Sequence, residues 1–241
     1  MRISSLLLRR IHKWVGLVIG LQFVIWTVSG AVMAMLDMET VSGGPSPKGA
    51  HVAAAALPAG SDAWLLVRRS LGKAPVTALS VRPMLDWQVY EVGTPAGSRL
   101  FDAATGRPIV VDAATARRIA HASYAGTGTI RDVRLLTERT LAIRDHDVPA
   151  WRVDFADDQN SSFYVSQTTG KLLERRNDTW RIWDFVWMLH NMDYANRTSF
   201  NHPLIVFVGF AAVWLAITGL WLLFRTAWRP DLRALRRRVG R

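Results

Sequence analysis

"DWQVYEVGTPAGSRLFDAATGRPIV" (86–110) and "AWRVDFADDQNSSFYVSQTTGKLLE" (150–174) are two versions of one pattern. Trp87 and Trp151 lie 64 residues apart, and so do Thr105-Gly106 and Thr169-Gly170. Two independent anchors at one offset argue for a duplicated unit. In each copy alternating positions mark a strand (Trp87, Val89, Glu91; Trp151, Val153, Phe155). A turn and a second strand follow, ending in a Thr-Gly turn where glycine supplies the positive φ. Helical segments are expected near 61–72 and 112–123, ahead of the strands, so the unit reads as α+β and is used twice. A Gly/Pro/Ser-rich linker, "VSGGPSPKGAH" (41–51), precedes the first copy.

Outside the duplication the chain turns apolar. Trp14–Leu36 is a run of 23 residues without a formal charge and Leu204–Phe224 another of 21. Each meets the roughly 20 residues needed to cross a hydrocarbon core. The run at the N-terminus is too long for the about 7–15 apolar residues of a cleaved signal peptide, although "AVMA" resembles a cleavage site. Residues 1–13 carry four basic groups, and 225–241 carry seven arginines against one aspartate, so the ends hold ten of the net +11. Basic clusters abutting apolar runs belong on the cytoplasmic side, which places the intervening residues outside. A nucleic-acid partner would need a basic face on a folded domain instead, and the almost neutral middle of the chain excludes it.

The 241 residues contain no cysteine, so thiol redox chemistry and thiolate metal sites are excluded and the external region must be stable without disulfides. There is no G-x-S-x-G, H-E-x-x-H, P-loop or dinucleotide fingerprint. A hydrolase is unsupported and NADPH has no visible site, so any electrons would come from a lipid quinol or a redox protein.

"RLFDAATGRPI" and "SFYVSQTTGKL" resemble the strand–turn–strand endings of PepSY domains. "RRIHKWVGLVIGLQFVIWTVSGAVMA" (9–34) and "WDFVWMLHNMDY" (183–194) resemble the PepSY-associated transmembrane family. The resemblance covers nearly the whole chain. It implies a membrane protein of α+β class, with two transmembrane helices flanking an external domain of two PepSY-like α+β repeats. The expected segments are a basic N-terminus (1–13), a first span (14–36), a linker (37–51), repeats at 52–111 and 112–177, an interfacial amphipathic helix (178–197), a second span (202–224) and a basic tail (225–241). Larger members of the family include four-span inner-membrane ferric-siderophore reductases that carry b-type haem. Two spans here mean that a dimer would reach that number.

Trp180, Trp183, Trp187, His190 and Tyr194 recur every three or four residues, within an arc of about 80° on a helix. The aromatic residues suit the membrane–water interface. His190 on that face calls for a hydrogen-bond or metal partner, because an idle imidazole is costly at the bilayer boundary. His51, His121 and His146 take ordinary surface or turn positions, and the adjacent Asp145, His146 and Asp147 do not all point to one centre.

His12, His190 and His202 each stand at the edge of a span. His12, Gly16, Gly20, Phe23, Thr27, Gly30 and Ala34 share one small-residue helical face, which includes a G-x-x-x-G. His202, Gly209, Ala212, Ala216 and Gly219 share another. Two readings stay open: close helix packing with the histidines as polar anchors, or ligation of haem b iron by His12, His190 and His202, with Gly16 and Gly20 leaving room for the macrocycle. About 30 Å of bilayer separates His12 from the other two, so one haem cannot use both sets. His190 and His202 could ligate one outer haem together, or each could pair with its counterpart in a second protomer. His12 needs a partner from another subunit.

The leading functional expectation is a haem b electron-transfer component of the bacterial inner membrane. It would act as, or within, a ferric-chelate reductase delivering electrons to a periplasmic acceptor such as a ferric siderophore. Its partners would be the lipid bilayer, a homodimer or larger membrane complex, and a quinol or redox-protein donor. The alternative is a non-catalytic, membrane-anchored accessory protein that binds through its repeats.

Overall fold

The computed structural model describes residues 5–45, 62–195, 197 and 199–225. Most of the Gly/Pro-rich linker with His51, and the basic tail from 226 onward, lie outside the described residues. The helices are α1 (Ser5–Met35), α2 (Met38–Val41), α3 (Ala63–Leu71), α4 (Ala113–Ala122), α5 (Asp178–Asn191) and α6 (Pro203–Leu223). The strands are β1 (Ala78–Met84), β2 (Trp87–Thr94), β3 (Gly97–Asp102), β4 (Pro108–Ile109), β5 (Thr129–Leu136), β6 (Ala150–Ala156), β7 (Ser162–Ser166) and β8 (Leu172–Arg176). Two compact units result: one holds the chain up to Met35 and from Asp184 onward, the other Leu36–Trp183.

In the first unit, Leu6–Met35 and Pro203–Leu223 are both long and apolar enough to cross a membrane. α1 begins nine residues before the expected span, because the leucines, arginines and lysine of that stretch are good helix formers and nothing breaks them. α6 starts with Pro203 at its first position behind His202 in an extended conformation, where the missing proline N–H costs nothing.

The two long helices meet along a different seam from the expected one. Ile19 and Val208 are buried together with Met192, flanked by Val15, Ile205, Ala211 and Leu215. Phe23, Thr27, Ala34, Gly209 and Ala216 are exposed. A Cβ on Gly20 or Gly209 would meet nothing within 4 Å, and one on Gly16 only Leu215 at 3.8 Å. The Gly16/Gly20 pair is therefore not the contact between these two helices. Branched side chains fill the seam, and its glycines are used only where a histidine comes close.

The second unit holds the repeats. Each is a helix followed by a four-stranded antiparallel meander, in the orders β1-β2-β3-β4 and β5-β6-β7-β8. Tyr90, Val92 and Phe101 project from one face of the first sheet onto Ala63, Val67 and Leu71 of α3. Val89 and Leu100 project from the other into a core shared with Ala116, Ile119 and Ala120 of α4 and with Val153, Phe155, Phe163 and Val165 of the second sheet. The strand period of two thus loads both faces of β2.

The Thr-Gly turns are the same device twice. Gly106 has φ +65° and Gly170 φ +62°. Gly106 N donates to Asp102 O (2.8 Å) and Gly170 N to Ser166 O (2.9 Å). The return bonds are Asp102 N to Arg107 O and Ser166 N to Lys171 O. The offset of 64 holds here but falls to 50 between the helix-capping Asp62 and Asp112. Most of the difference arises because residues 85–86 join β1 to β2, whereas 137–149, with a 3-10 turn at Leu141–Ile143, join β5 to β6. That longer connection carries its own small core of Ile143, Ala150 and Tyr164.

Trp87 and Trp151 are half-buried against the shared core rather than fully inside it. The largest fully buried side chains among the described residues are Phe101, Phe155 and Phe163 instead. Trp151 Nε1 donates to Val111 O at 2.7 Å, while the Trp87 indole N–H is buried with no partner. Trp151→Phe is therefore expected to cost about 1 kcal/mol for the lost hydrogen bond, with Trp87→Phe close to neutral. Thermal unfolding of both variants checks this, and equal losses would refute it.

A charged group also crosses between the repeats. Glu91 accepts from Arg82 Nε at 2.7 Å and from Lys171 Nζ at 2.6 Å, and Arg82 donates as well to Thr169 O. Burial pushes the Glu91 pKa up, but the hydrogen bonds and charges of Lys171 and Arg82 outweigh it, and the net shift is downward. A depressed folded pKa stabilises above the ordinary glutamate value of about 4.3, and the contribution is lost as pH falls through the folded value. The thermal midpoint of the wild type should therefore drop more steeply below about pH 4.5 than that of Glu91→Gln; parallel curves would contradict this account.

Candidate functional site

α5 carries the aromatic stretch that begins at Trp180. It begins at a side-chain cap, with Trp180 N donating to Asn177 Oδ1 at 2.7 Å and Asn177 Nδ2 to Thr40 O at 2.7 Å. Trp180 is buried and lies under the Arg176 guanidinium, 4.2 Å from the ring centroid. The helix stops at Asn191, because Met192 takes φ +58°. Tyr194 is therefore off the helical face on which the sequence placed it, and it is exposed.

His190, on the last turn of α5, lies against α1. Its Nδ1 is 3.2 Å from Ser29 Oγ and 3.2 Å from Trp26 O. Ser29 Oγ donates its own hydrogen to Trp26 O at 3.0 Å. Both partners of Nδ1 thus act as acceptors, so Nδ1 carries a hydrogen, and in the neutral ring Nε2 keeps its lone pair. The ring sits over Gly30, where a Cβ would stand 3.1 Å from Cε1, and 5.5 Å from the Trp26 ring at an interplanar angle of 41°.

His12 repeats the arrangement on α6. Its Nδ1 is 2.8 Å from Thr218 Oγ1, and Thr218 Oγ1 donates to Trp214 O at 2.8 Å. The neutral ring is again the Nδ1–H tautomer, and Nε2 has no partner among the described residues. A Cβ on Gly219 would stand 3.3 Å from the His12 Cε1, and the Trp214 ring lies 6.3 Å away at 40°. "WTVSG" (26–30) and "WLAITG" (214–219) are therefore one motif used twice: a tryptophan, a hydroxyl bonded back to its carbonyl, and a glycine, each receiving a histidine from another helix. Eighteen residues of α1 separate His12 from Gly30, roughly 27 Å along the helix. The hydroxyls and tryptophans were missed in the sequence reading, although the spacing of Trp, Ser/Thr and Gly was there to be compared.

His202 differs. Its Nε2 donates to Asn191 O at 2.7 Å, an orphan carbonyl at the end of α5. With Arg197 paired to the buried Asp184 at 2.8 Å and Ser199 N donating to Asp193, it fastens the connection between α5 and α6. His190 and His202 do not present matching free nitrogens. Gly16 and Gly20 lie away from both histidine positions in contact terms, as described above.

In the same unit as His190, Gln22 Nε2, Trp26 Nε1 and Asn191 Nδ2 are buried without hydrogen-bond partners among the described residues. In the second unit, His146 Nε2 bonds Glu174 at 2.8 Å, Asp147 pairs with Arg139 and Asp145 with Arg144. The acidic triplet thus disperses to three partners. Among the described residues no group of three or more His, Asp or Glu side chains converges on a metal position.

Chemically, a neutral imidazole whose Nδ1–H is held by an acceptor, with Nε2 open, is the arrangement that suits an axial ligand to iron. His12 and His190 fit it, one per membrane face. His202 does not fit through Nε2.

No curated protein and no solved structure matches this chain. The family model for the PepSY-associated TM region matches residues 9–241, a match that takes in both spans, both repeats and the two histidine modules, and the chain therefore belongs to the PepSY-associated transmembrane family, as a membrane protein of the lipid bilayer.

Proposed function

We propose that this chain is a haem b electron-transfer component of the bacterial inner membrane, passing electrons to a periplasmic acceptor such as a ferric siderophore. The observation that carries the reading is the pairing of His12 and His190, each with Nδ1 tied to a hydroxyl and Nε2 open, about 27 Å apart. That separation suits two relay points near opposite faces of a roughly 30 Å core. What haem supplies when bound is a reversible one-electron carrier. The chain's own residues do the positioning. Ser29 and Thr218 hold the proton at Nδ1, Gly30 and Gly219 admit the imidazoles, and Trp26 and Trp214 shield them.

Each position offers one imidazole per protomer, so the second ligand would come from the counterpart in a homodimer, which also supplies four spans. A lipid quinol or redox protein serves as donor. Both basic ends are cytoplasmic and the repeats periplasmic, in keeping with the placement of the charge.

The test is haem content. Protein expressed with haem supplied and purified in detergent should yield a protohaem pyridine haemochrome and a low-spin b-type reduced-minus-oxidised spectrum. A haem-free, folded protein would leave the accessory, repeat-based binding role in its place.

A further inference from the structure

We infer that the cleft beside the C-terminal half of α4 binds a small polyanion, a polycarboxylate or a pyrophosphate-type group, through Arg117 and His121. The cleft lies wholly within the second unit and stands apart from the histidine modules, so it does not depend on the haem reading. Its volume is about 650 Å³, within the range of small-molecule sites. One wall is α4, with Arg117, Arg118, His121 and Ala122; the other is the segment Gly126–Ile130.

Hydrogen-bond donors on that wall are available. Arg118 is engaged by Asp86 at 2.7 Å, but the Arg117 and His121 side chains have no hydrogen-bond or ion-pair partner among the described residues. They are four residues apart on one helix, so their head groups reach the same space about one turn from each other. Two oxyanions a few ångströms apart on one ligand match that spacing. Basic residues at a helix C-terminus are favoured by the dipole in any case. That accounts for their sign, and it does not account for the fixed concave wall they face.

The opposite wall is built rather than loose. Tyr124 Oη donates to Asp157 at 2.9 Å and accepts from Gly128 N at 3.1 Å. Its ring stacks on Phe155 with centroids 4.0 Å apart. A Cβ on Gly126 would come within 2.4 Å of the Tyr124 ring, and one on Gly128 within 2.8 Å of Ala156 O. Only glycines let the segment close down over the tyrosine. The Asp157 carboxylate is taken up by Tyr124 and by Ser161 N at 2.8 Å. Thr127 and Thr129 line the cleft as well and bring further polar groups to it.

Isothermal titration of the full-length protein in detergent at low salt, with citrate and with inorganic pyrophosphate as probes, tests the site. At least one should bind with a submillimolar Kd. Arg117→Gln and His121→Gln should each weaken binding about tenfold or more. Ala122→Phe should fill the cleft and abolish binding at unchanged charge, and Lys73→Gln, remote on the chain and equally exposed, should leave it unaltered. Thermal midpoints show that the variants are folded; should Ala122→Phe not fold, Arg117→Gln against Lys73→Gln decides. No binding of either probe at millimolar concentration overturns the proposal. So does an equal loss on Lys73→Gln, which means diffuse attraction, or retention on a folded Ala122→Phe.

Discussion

His190→Ala is expected to remove one low-spin b-type signal from the purified protein and His12→Ala a different one. The two imidazoles are about 27 Å apart and have no residue in common. Loss of an axial imidazole leaves iron high-spin or unbound. Ser29→Ala and Thr218→Ala should retain haem but shift the spectrum or potential of their own site, since only the partner of Nδ1 is lost and such changes cost roughly 10–100-fold in affinity. His202→Ala should spare both signals and loosen the α5–α6 connection, because its Nε2 is committed to Asn191 O. His146→Ala, paired to Glu174 in the second unit, is the control. Loss of the outer signal in His202→Ala would restore the within-chain pairing with His190. A wild-type spectrum in both His12→Ala and His190→Ala would remove the ligands on which the proposed function rests.

Phe155→Ala should give the largest stability loss in the second unit, about 3–5 kcal/mol. The side chain has no exposure, stacks on Tyr124 at 4.0 Å and meets Phe163 edge-on at 5.1 Å. For a unit of this size, that corresponds to a fall of roughly 10 °C in the thermal midpoint. Val110→Ala, at a position 72% exposed, should shift it by less than about 2 °C. Measuring both in detergent separates a core role from general sensitivity. If the two shifts are alike, Phe155 does not hold the joint between α4 and the second sheet.

Much of the protein was legible in one dimension because the signals are local. An uncharged run long enough for a span needs no partner to be recognised. The Thr-Gly turns were readable because positive φ has a residue preference of its own, and Gly106 and Gly170 hold that conformation. The two α+β repeats followed from those turns and the strand alternation before them. The repeat's true length varied along the chain, 64 at the turns and 50 at the helix caps, chiefly because one connection expanded without disturbing either meander.

Which face of each helix meets its neighbour could not be read in the same way. The glycine stripe through Gly16 and Gly20 and the branched seam through Val15 and Ile19 lie close together around α1. Periodicity cannot choose between neighbouring faces when nearly every residue is apolar, as in α6. Packing chose. The histidines show the same division: their places at the ends of the spans are properties of the sequence, whereas their tautomers depend on which acceptors the fold brings to each ring. A hydroxyl 161 or 206 residues away leaves Nε2 of His190 and His12 open. A carbonyl at the end of α5 closes that of His202. Hydrogen-bond partners distant along the chain are set only when the helices are in place, and they separate two candidate ligands from a structural clasp.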